Sequence, residues 1–370
     1  MEAPIYVPVV KAKRNDIASL DGVVPSNRLA IRPLLELAEY GSTDCDKILG
    51  TLVTRLARFT WPNAPYVDLY SFLPDACVAS GVNATVEGFR RIADSGISVI
   101  PTYGFERNDN LWGHLGAVAE RLATGFCFRV DIEDLDDQSE QTWVNIIERS
   151  AEMGLAAGDI DVIVDLRFVG DWALQQLTDL THEFLELQPE EFRPRFRAVV
   201  GSSALKNVAG IPVNGTGTVV RQELLLWSEI QALLGAADQV AYGDYGVIHP
   251  DFSQSAPSPN ANAKIRYTRG DSIHYFRGTR LFKPANFGQY HSLARRVIAS
   301  PYYRGLQYSA GDGEIWNCAN RNTQPGNLGT WVKVDQNHHI ETTVDQIRHA
   351  LLAVANGAAA SRVVEVLQGA

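Results

Sequence analysis

The sequence predicts an α/β fold, a (β/α)8 TIM-like barrel over residues 1–250 with an appended C-terminal α+β module, hairpin and helical, packed on it over 251–370. Three observations predict it. Eight short runs rich in Val, Ile, Tyr and Phe alternate with stretches of helical periodicity. Nearly every run ends on Lys, Glu, Asp, Arg or Ser, as strands do when they deliver polar side chains to one rim of a parallel sheet. The eight runs span about 240 residues, near the ~250 of a typical barrel. A doubly wound open sheet is the alternative, and the even spacing of the runs favours closure.

Ile5–Lys13 (IYVPVVKAK) is the first strand, and its two-residue period puts Val9, Lys11 and Lys13 on one face. Leu29–Leu37 is the second and presents Glu36; Asn15–Ser26 between them is too short for a full helix. Asp46–Phe59 has helical spacing, Pro65–Leu69 is a strand ending on Asp68, and Ala84–Asp94 is a helix closed by Gly96. Ile97–Tyr103 is the fourth strand and Asn110–Ala123 an amphipathic helix. Phe126–Asp131 carries Arg129 and Asp131 on one face, and the acidic loop Glu133–Asp137 leads into the helix Gln141–Met153. Asp161–Arg167 likewise pairs Asp165 with Arg167 and precedes the helix Asp171–Leu187. Arg197–Ser203 ends on a serine pair, Arg221–Leu234 is a helix, and Gln239–Tyr245 is the closing strand, which stops at Gly243-Asp244-Tyr245. A Pro/Ser/Asn-rich loop, Asp251–Asn262, follows. Lys264–Phe282 reads as a hairpin turning at Arg269-Gly270-Asp271-Ser272. Asn286–Ala299, Thr342–Ala355 and Ala358–Leu367 are helical, and residues 300–335 read as loop.

The composition is that of a water-soluble globular chain: 45% hydrophobic and 21% charged over 370 residues. No apolar run approaches the ~18 residues of a membrane span. Met1-Glu2-Ala3-Pro4 has no basic leader. Cys45, Cys77, Cys127 and Cys318 are scattered, which suggests reduced thiols, a cytoplasmic location and no membrane partner. The net charge of −10 is uneven: residues 264–304 hold 9 Lys and Arg against 1 Asp, between two acidic segments.

In this fold the strand ends converge on one site. Lys11, Lys13, Glu36, Asp68, Tyr103, Arg129, Asp131, Asp165, Arg167, the serine pair and Asp244 are expected there, with Asp244 beside Lys11 and the serines. Tyr245, His249, Arg266 and Arg277 extend the set as ligand contacts. Cations of this kind clamp a phosphate or carboxylate while Glu36, Asp165 or Asp244 orients it or acts as general base. On that reading Asp165→Ala and Asp244→Ala abolish activity and leave the fold intact. Alternatively the carboxylates hold a hard cation such as Mg²⁺, for which the interleaved arginines would compete. A third reading makes the set a salt-bridged plug that only closes the barrel. His249 suits acid–base work, His338-His339 lies in a polar loop and is solvated, and Gly215-Thr216-Gly217-Thr218 is a loop able to cradle a phosphate. The arginines of 264–304 alternate with aromatic residues, which suits a nucleotide or single-stranded nucleic acid, or they pair with the acidic barrel.

IYVPVVKAK with IRPLLEL after it, then VAYGDYGVIHP, IRYT and FRG, resembles the "beta protein" family of phage and bacterial genomes. The resemblance implies a barrel-like fold and a setting in phage–host conflict (anti-phage defence), with no established reaction. Ser272-Ile273-His274-Tyr275 departs from the aromatic that often precedes that family's RG strand. Pro8-Val9-Val10-Lys11-Ala12 also resembles the first strand of fold-type III pyridoxal-phosphate barrels, which would make Lys11 the cofactor lysine. Lys13-Arg14-Asn15 replaces the Tyr-Gly that follows that lysine, which counts against this cofactor. Two functions follow as expectations. In one, the barrel binds an anionic nucleotide-like ligand or a nucleic-acid end, with hydrolysis of a phosphate or phosphodiester as its chemistry. In the other, the chain is a non-catalytic recognition or antitoxin-like protein that meets a partner protein through its C-terminal module. Nothing in the sequence specifies an oligomeric state.

Overall fold

The structure, a computed structural model, describes residues 3–37, 44–136, 138–251, 259–282, 284–355 and 367. Eight parallel strands close into a barrel: β1 Tyr6–Lys11, β2 Leu34–Glu36, β3 Tyr66–Asp68, β4 Ile100–Tyr103, β5 Phe126–Val130, β6 Ile160–Phe168, β7 Phe196–Ser202 and β9 Ala241–Asp244. β8, Thr216–Val220, lies outside the barrel. Closure is made where β9 pairs with β1, Tyr6 opposite Tyr242 and Pro8 opposite Asp244. The chain is a (β/α)8 barrel.

Strand alternation divides the side chains between two cores. Val9, Leu34, Tyr66, Ile100, Cys127, Ile163, Val200 and Tyr245 belong to the cluster that fills the barrel. Val10, Leu35, Val67, Phe128, Val164, Val199 and Tyr242 point outward, under the helices. Gly243 faces inward, where a Cβ would sit 2.4 Å from Val200 Cγ2, so only glycine lets the closing strand approach β7.

The helices are α1 Arg14–Asp21, α2 Pro25–Arg28, α3 Cys45–Leu56, α4 Ala84–Asp94, α5 Trp112–Leu122, α6 Ser139–Glu152, α7 Leu174–Glu186, α8 Gln222–Leu234, α9 Gln289–Ile298, α10 Ala310–Ala319 and α11 Leu328–Ala355. Ile48, Leu49, Leu52 and Leu56 make one buried stripe of α3, and Asp44 caps it by accepting from the Lys47 N–H at 3.1 Å.

The segment expected to be too short for a full helix holds two short ones, α1 and α2. Ile17 and Leu20 of α1 are buried, and α1 packs on α11, so tertiary contact stabilises a helix too short to persist alone. The region expected to be loop contains α10, capped by Ser309, and the start of α11. Gly311 reads in sequence as a turn. Here it lets two helices touch, since its Cβ would meet the Val334 carbonyl at 2.5 Å. Gly215-Thr216-Gly217-Thr218 is not a free phosphate loop, because Thr216–Val220 is β8 and pairs with β11. The hairpin does form, as β10 Asn262–Arg269 and β11 Ser272–Arg280, and its third strand is β8, from within 1–250. α11 lies against α1, α8 and β1, so both β8 and α11 cross a division at residue 250. Of the expected helix Ala358–Leu367, all but Leu367 lies outside the described residues.

At the N-terminal end of the barrel, buried Asp161 accepts from Arg195 at 2.9 and 2.8 Å, from Arg32 at 3.4 Å and from the Tyr66 hydroxyl at 3.0 Å. This network seals the end of the barrel away from the strand termini. Asp161→Ala leaves two arginines without their acceptor and lowers stability by roughly 3 kcal/mol. Urea unfolding of the two proteins measures the difference, and a loss under ~0.5 kcal/mol would contradict the role given to Asp161.

Candidate functional site

Register places Lys11 opposite Glu36, and Glu36 opposite Asp68, on three neighbouring strands at the C-terminal end of the barrel. Arg129 and Asp165 reach the same place from β5 and β6. The Arg129 guanidinium is the hub. Its Nε donates to Asp165 at 2.8 Å, Nη1 donates to Asp68, and Nη2 donates to Glu36 at 3.2 Å and to the Tyr245 hydroxyl at 2.7 Å. Tyr245 passes the contact on, donating to Asp165 at 2.6 Å. Lys11 pairs with the other oxygen of Glu36, and Arg107 grips Asp68 with two bonds of 2.7 and 2.9 Å.

Each shift here is a contest between burial and partners. Burial alone would raise the Asp68 carboxyl, yet Arg107 and Arg129 outweigh it and hold the pKa below the ordinary value. Asp165 is likewise lowered, burial being outweighed by Arg129 and Arg167. Burial should favour loss of the Arg129 proton, but Tyr245 and the surrounding carboxylates reverse the direction and raise its pKa. The guanidinium stands where Glu36, Asp68 and Asp165 converge, the place a hard cation would need. Among the described residues no group of three or more His, Cys, Asp or Glu is placed to hold a metal. Those carboxylates already bind a cation of the protein's own, Arg129.

Above this floor lies a cavity of about 490 Å³, lined among others by Lys11, Lys13, Glu36, Tyr70, Arg107 and Arg167. The Tyr70 ring is 40% exposed, with the guanidinium carbons of Arg167, Arg107 and Arg129 at 5.1, 5.3 and 5.5 Å from its centre. Arg167 has a left-handed backbone, φ 52°, at an irregularity in the pairing of β6 with β7 between Asp165 and Phe168. A non-glycine residue in that region costs on the order of 1 kcal/mol, and the kink brings the side chain to the cavity wall. Its Nη2 donates to Asp251 at 3.2 Å across the rim.

The other expected residues lie elsewhere. Asp244 faces out of the barrel, one residue out of phase with Tyr245. Its carboxylate accepts from Tyr6 at 2.7 Å, Tyr242 at 2.8 Å, Arg221 at 3.2 Å, His339 at 2.8 Å and the Gly246 N–H at 2.9 Å. Lys11 and the serine pair, its expected neighbours, are not among these partners. Ser203 accepts from the Gln222 N–H at 2.9 Å, and the Tyr103 hydroxyl donates to the Asn108 carbonyl at 3.1 Å. Asp131 caps its own turn, accepting from the N–H groups of Glu133 and Asp134 at 2.8 and 3.2 Å. Arg266 pairs with Asp335, and Arg277 donates to backbone carbonyls of Val208 and Ala209 at 2.8 and 3.1 Å. His249, buried against Phe168, accepts at Nδ1 from the Asp251 N–H at 3.1 Å, and burial lowers its pKa.

His338 and His339 are the reverse of solvated: both are wholly buried in the middle of α11. Burial lowers the His339 pKa more than Asp244 raises it. The neutral ring fits its setting, with Nε2–H donating to Asp244 and Nδ1 accepting from Thr268 at 2.7 Å. Both ring nitrogens of His338 face acceptors, Asp312 at 2.7 Å and the Thr268 carbonyl at 2.8 Å.

Arg107 and Tyr70 are the site residues that strand-end logic misses. Tyr70 stands two residues past Asp68 and Arg107 four past Tyr103, in loops with no periodicity to mark them.

The buried carboxylates set the acid limit of the fold. The folded pKa values of Asp68, Asp165 and Asp244 are all depressed, the last because His339, Arg221 and Tyr6 outweigh its burial. Their stabilisation is complete above the unfolded value near ~3.9 and is lost as pH falls through the folded values. Unfolding free energy therefore declines below about pH 4. A flat profile between roughly pH 5 and 2.5 would contradict this. Asp165 and Asp244 are both buried among cations, so the expectation that their alanine variants keep the fold intact is revised. Asp244→Ala lowers stability by about 3 kcal/mol or more. Chemical denaturation checks it.

A family model described as Beta protein matches residues 6–345. No curated protein matches the chain. Among solved structures, a mandelate racemase/muconate lactonizing protein from Herpetosiphon aurantiacus is similar at 12% identity with a TM-score of 0.32. The match covers 75% of this chain and 63% of that one, less than two thirds of its length. No helix among the described residues is long and apolar enough to cross a membrane.

Proposed function

The chain belongs to the Beta protein family, and we propose that it binds an anionic, nucleotide-like ligand in the cavity at the C-terminal end of its barrel. The observation that carries this reading is the order of charges from floor to rim. The floor carboxylates Glu36, Asp68 and Asp165 are already neutralised by Arg129, Arg107 and Lys11. The cavity walls add Lys13 and Arg167 to that balanced floor together with Glu106 and Asp251, so the positive charge open to a ligand is the charge it takes over from these rim carboxylates. The rim pair of Arg167 with half-exposed Asp251 is of the exposed kind, worth about 0–1 kcal/mol, so a phosphate exchanges for Asp251 at little cost. Tyr70 supplies a ring face for a planar base.

Binding is better supported than hydrolysis. A general base needs an uncommitted carboxylate near its substrate. Asp165 accepts from Arg129 and Tyr245 with a depressed pKa, and Asp244 faces away from the cavity. Glu36 lines the cavity but is held at both oxygens by Lys11 and Arg129, so it is assigned to orient the ligand through them. It could take a proton in hydrolysis only where the ligand displaces one of those partners. Phage–host conflict is the setting we propose, on the sequence resemblance alone.

Calorimetric titration of the full chain with ADP and with pyrophosphate tests the reading. Lys13→Ala and Arg167→Ala each weaken binding at least about tenfold, or ~1.4 kcal/mol. Absence of binding to the unmodified protein at millimolar ligand overturns the proposal, as does unchanged affinity in both variants. Phosphate release that Glu36→Gln abolishes, with binding retained, would add hydrolysis. Release unaffected by that substitution would exclude Glu36 as the base.

A further inference from the structure

A second cavity, also about 490 Å³, lies between the barrel and the three-stranded sheet and shares no lining residue with the first. Its walls are largely apolar, with Leu205, Val208, Val247, Ile248, Trp331 and Val332 among them. Arg266, Arg277 and His249, expected at the barrel mouth, line this cavity instead. The reason is the period of β10. Ala263, Ile265 and Tyr267 are buried in the core of the C-terminal segment, which turns Lys264 and Arg266 to the other side.

The charges here do not balance. Arg266 is answered by Asp335, with Nε to carboxylate 2.8 Å and backbone N–H to carboxylate 3.1 Å. Arg277 spends its Nη1 on backbone carbonyls, and its buried Nε has no hydrogen-bond partner. The Lys264 side chain lines a mostly apolar space, and the counter-charge it feels there is Asp335, the carboxylate that Arg266 already holds. An ammonium group in such a place is costly unless something answers it.

We propose that this cavity binds a small organic anion with an apolar body, a medium-chain or aromatic monocarboxylate, whose carboxylate sits on the Lys264 amine. The volume suits a small ligand, and a mostly apolar wall with few polar groups is the usual make-up of such a site. A cationic ligand would meet Lys264 and Arg277, and a neutral one would leave the amine unanswered. Burial, with Arg266 nearby, pushes the Lys264 pKa down to about 8 against the pull of Asp335, so that shared carboxylate does not offset the cost of burying the amine.

The test uses the full chain, with displacement of anilinonaphthalene sulfonate by octanoate or by 1-octanol. Octanoate binds the unmodified protein at least about tenfold more tightly than octanol, the worth of one charge-assisted contact. Lys264→Met removes that preference and leaves octanol binding unchanged, while Lys264→Arg keeps it. Val332→Trp, which fills the cavity, removes both ligands. Pyrophosphate binding at the barrel mouth is unaffected by any of these, so the two sites fail or succeed separately. Equal affinity for octanoate and octanol, or an octanoate preference that survives Lys264→Met, overturns the proposal. If Lys264→Met does not fold, as judged by circular dichroism, octanoate preference that persists in Val332→Trp overturns it instead.

Discussion

The burial of Arg129 among Glu36, Asp68 and Asp165 is the interaction on which the upper half of the barrel depends. Eight strands bring their inward side chains to one axis, and the inner cluster below is apolar. Any charge at that level is taken out of water, and desolvation costs several kcal/mol per ion unless partners restore it. One guanidinium with donors fanned over three carboxylates, helped by Tyr245, Arg107 and Lys11, meets that condition. A salt-bridged floor and a binding site are therefore not rival descriptions. The carboxylates of the floor are satisfied from within, and the cation nearer the rim, Arg167, pairs with Asp251 across the mouth.

Asp161 and Asp244 show the same rule with other outcomes. Asp161 sits at the opposite end of the same interior and is closed over by Arg195, Arg32 and Tyr66, which leaves a seal. Asp244 belongs to the closing strand but points outward, where it ties Tyr6 of β1 and Tyr242 of β9 to Arg221 before α8 and His339 of α11. α11 is thus held to the barrel by a buried carboxylate with five donors. The Gly243-Asp244-Tyr245 tripeptide serves three surfaces: close approach of strands, the outer staple, and the inner floor.

Much of this was legible in the residues. Alternation and strand-end polarity place Lys11, Glu36, Asp68, Arg129, Asp165, Arg167 and Tyr245 at one end of a barrel, and the structure brings them there. The failures have separate physical causes. Asp244 was misplaced by the phase of one strand, since a shift of one residue exchanges inside for outside. Residues 300–335 carry Gly and Asn where a turn is ordinary, yet Gly311 serves close helix packing. His338 and His339 look hydrophilic, but their ring nitrogens find Asp312, Thr268 and Asp244 inside the protein.

By itself, the sequence determined the number and order of the barrel strands and the chemical character of the ring at its mouth, and favoured closure, because these follow from local periods of two and 3.6 residues. Which charges meet was decided only by the tertiary structure. Arg107 and Tyr70 enter from loops, Arg167 is aimed by a left-handed residue, and Lys264 shares the single carboxylate of Asp335 with Arg266. Partners of that kind lie far apart in the chain, and distance in the chain carries no information about distance in space until the barrel has closed.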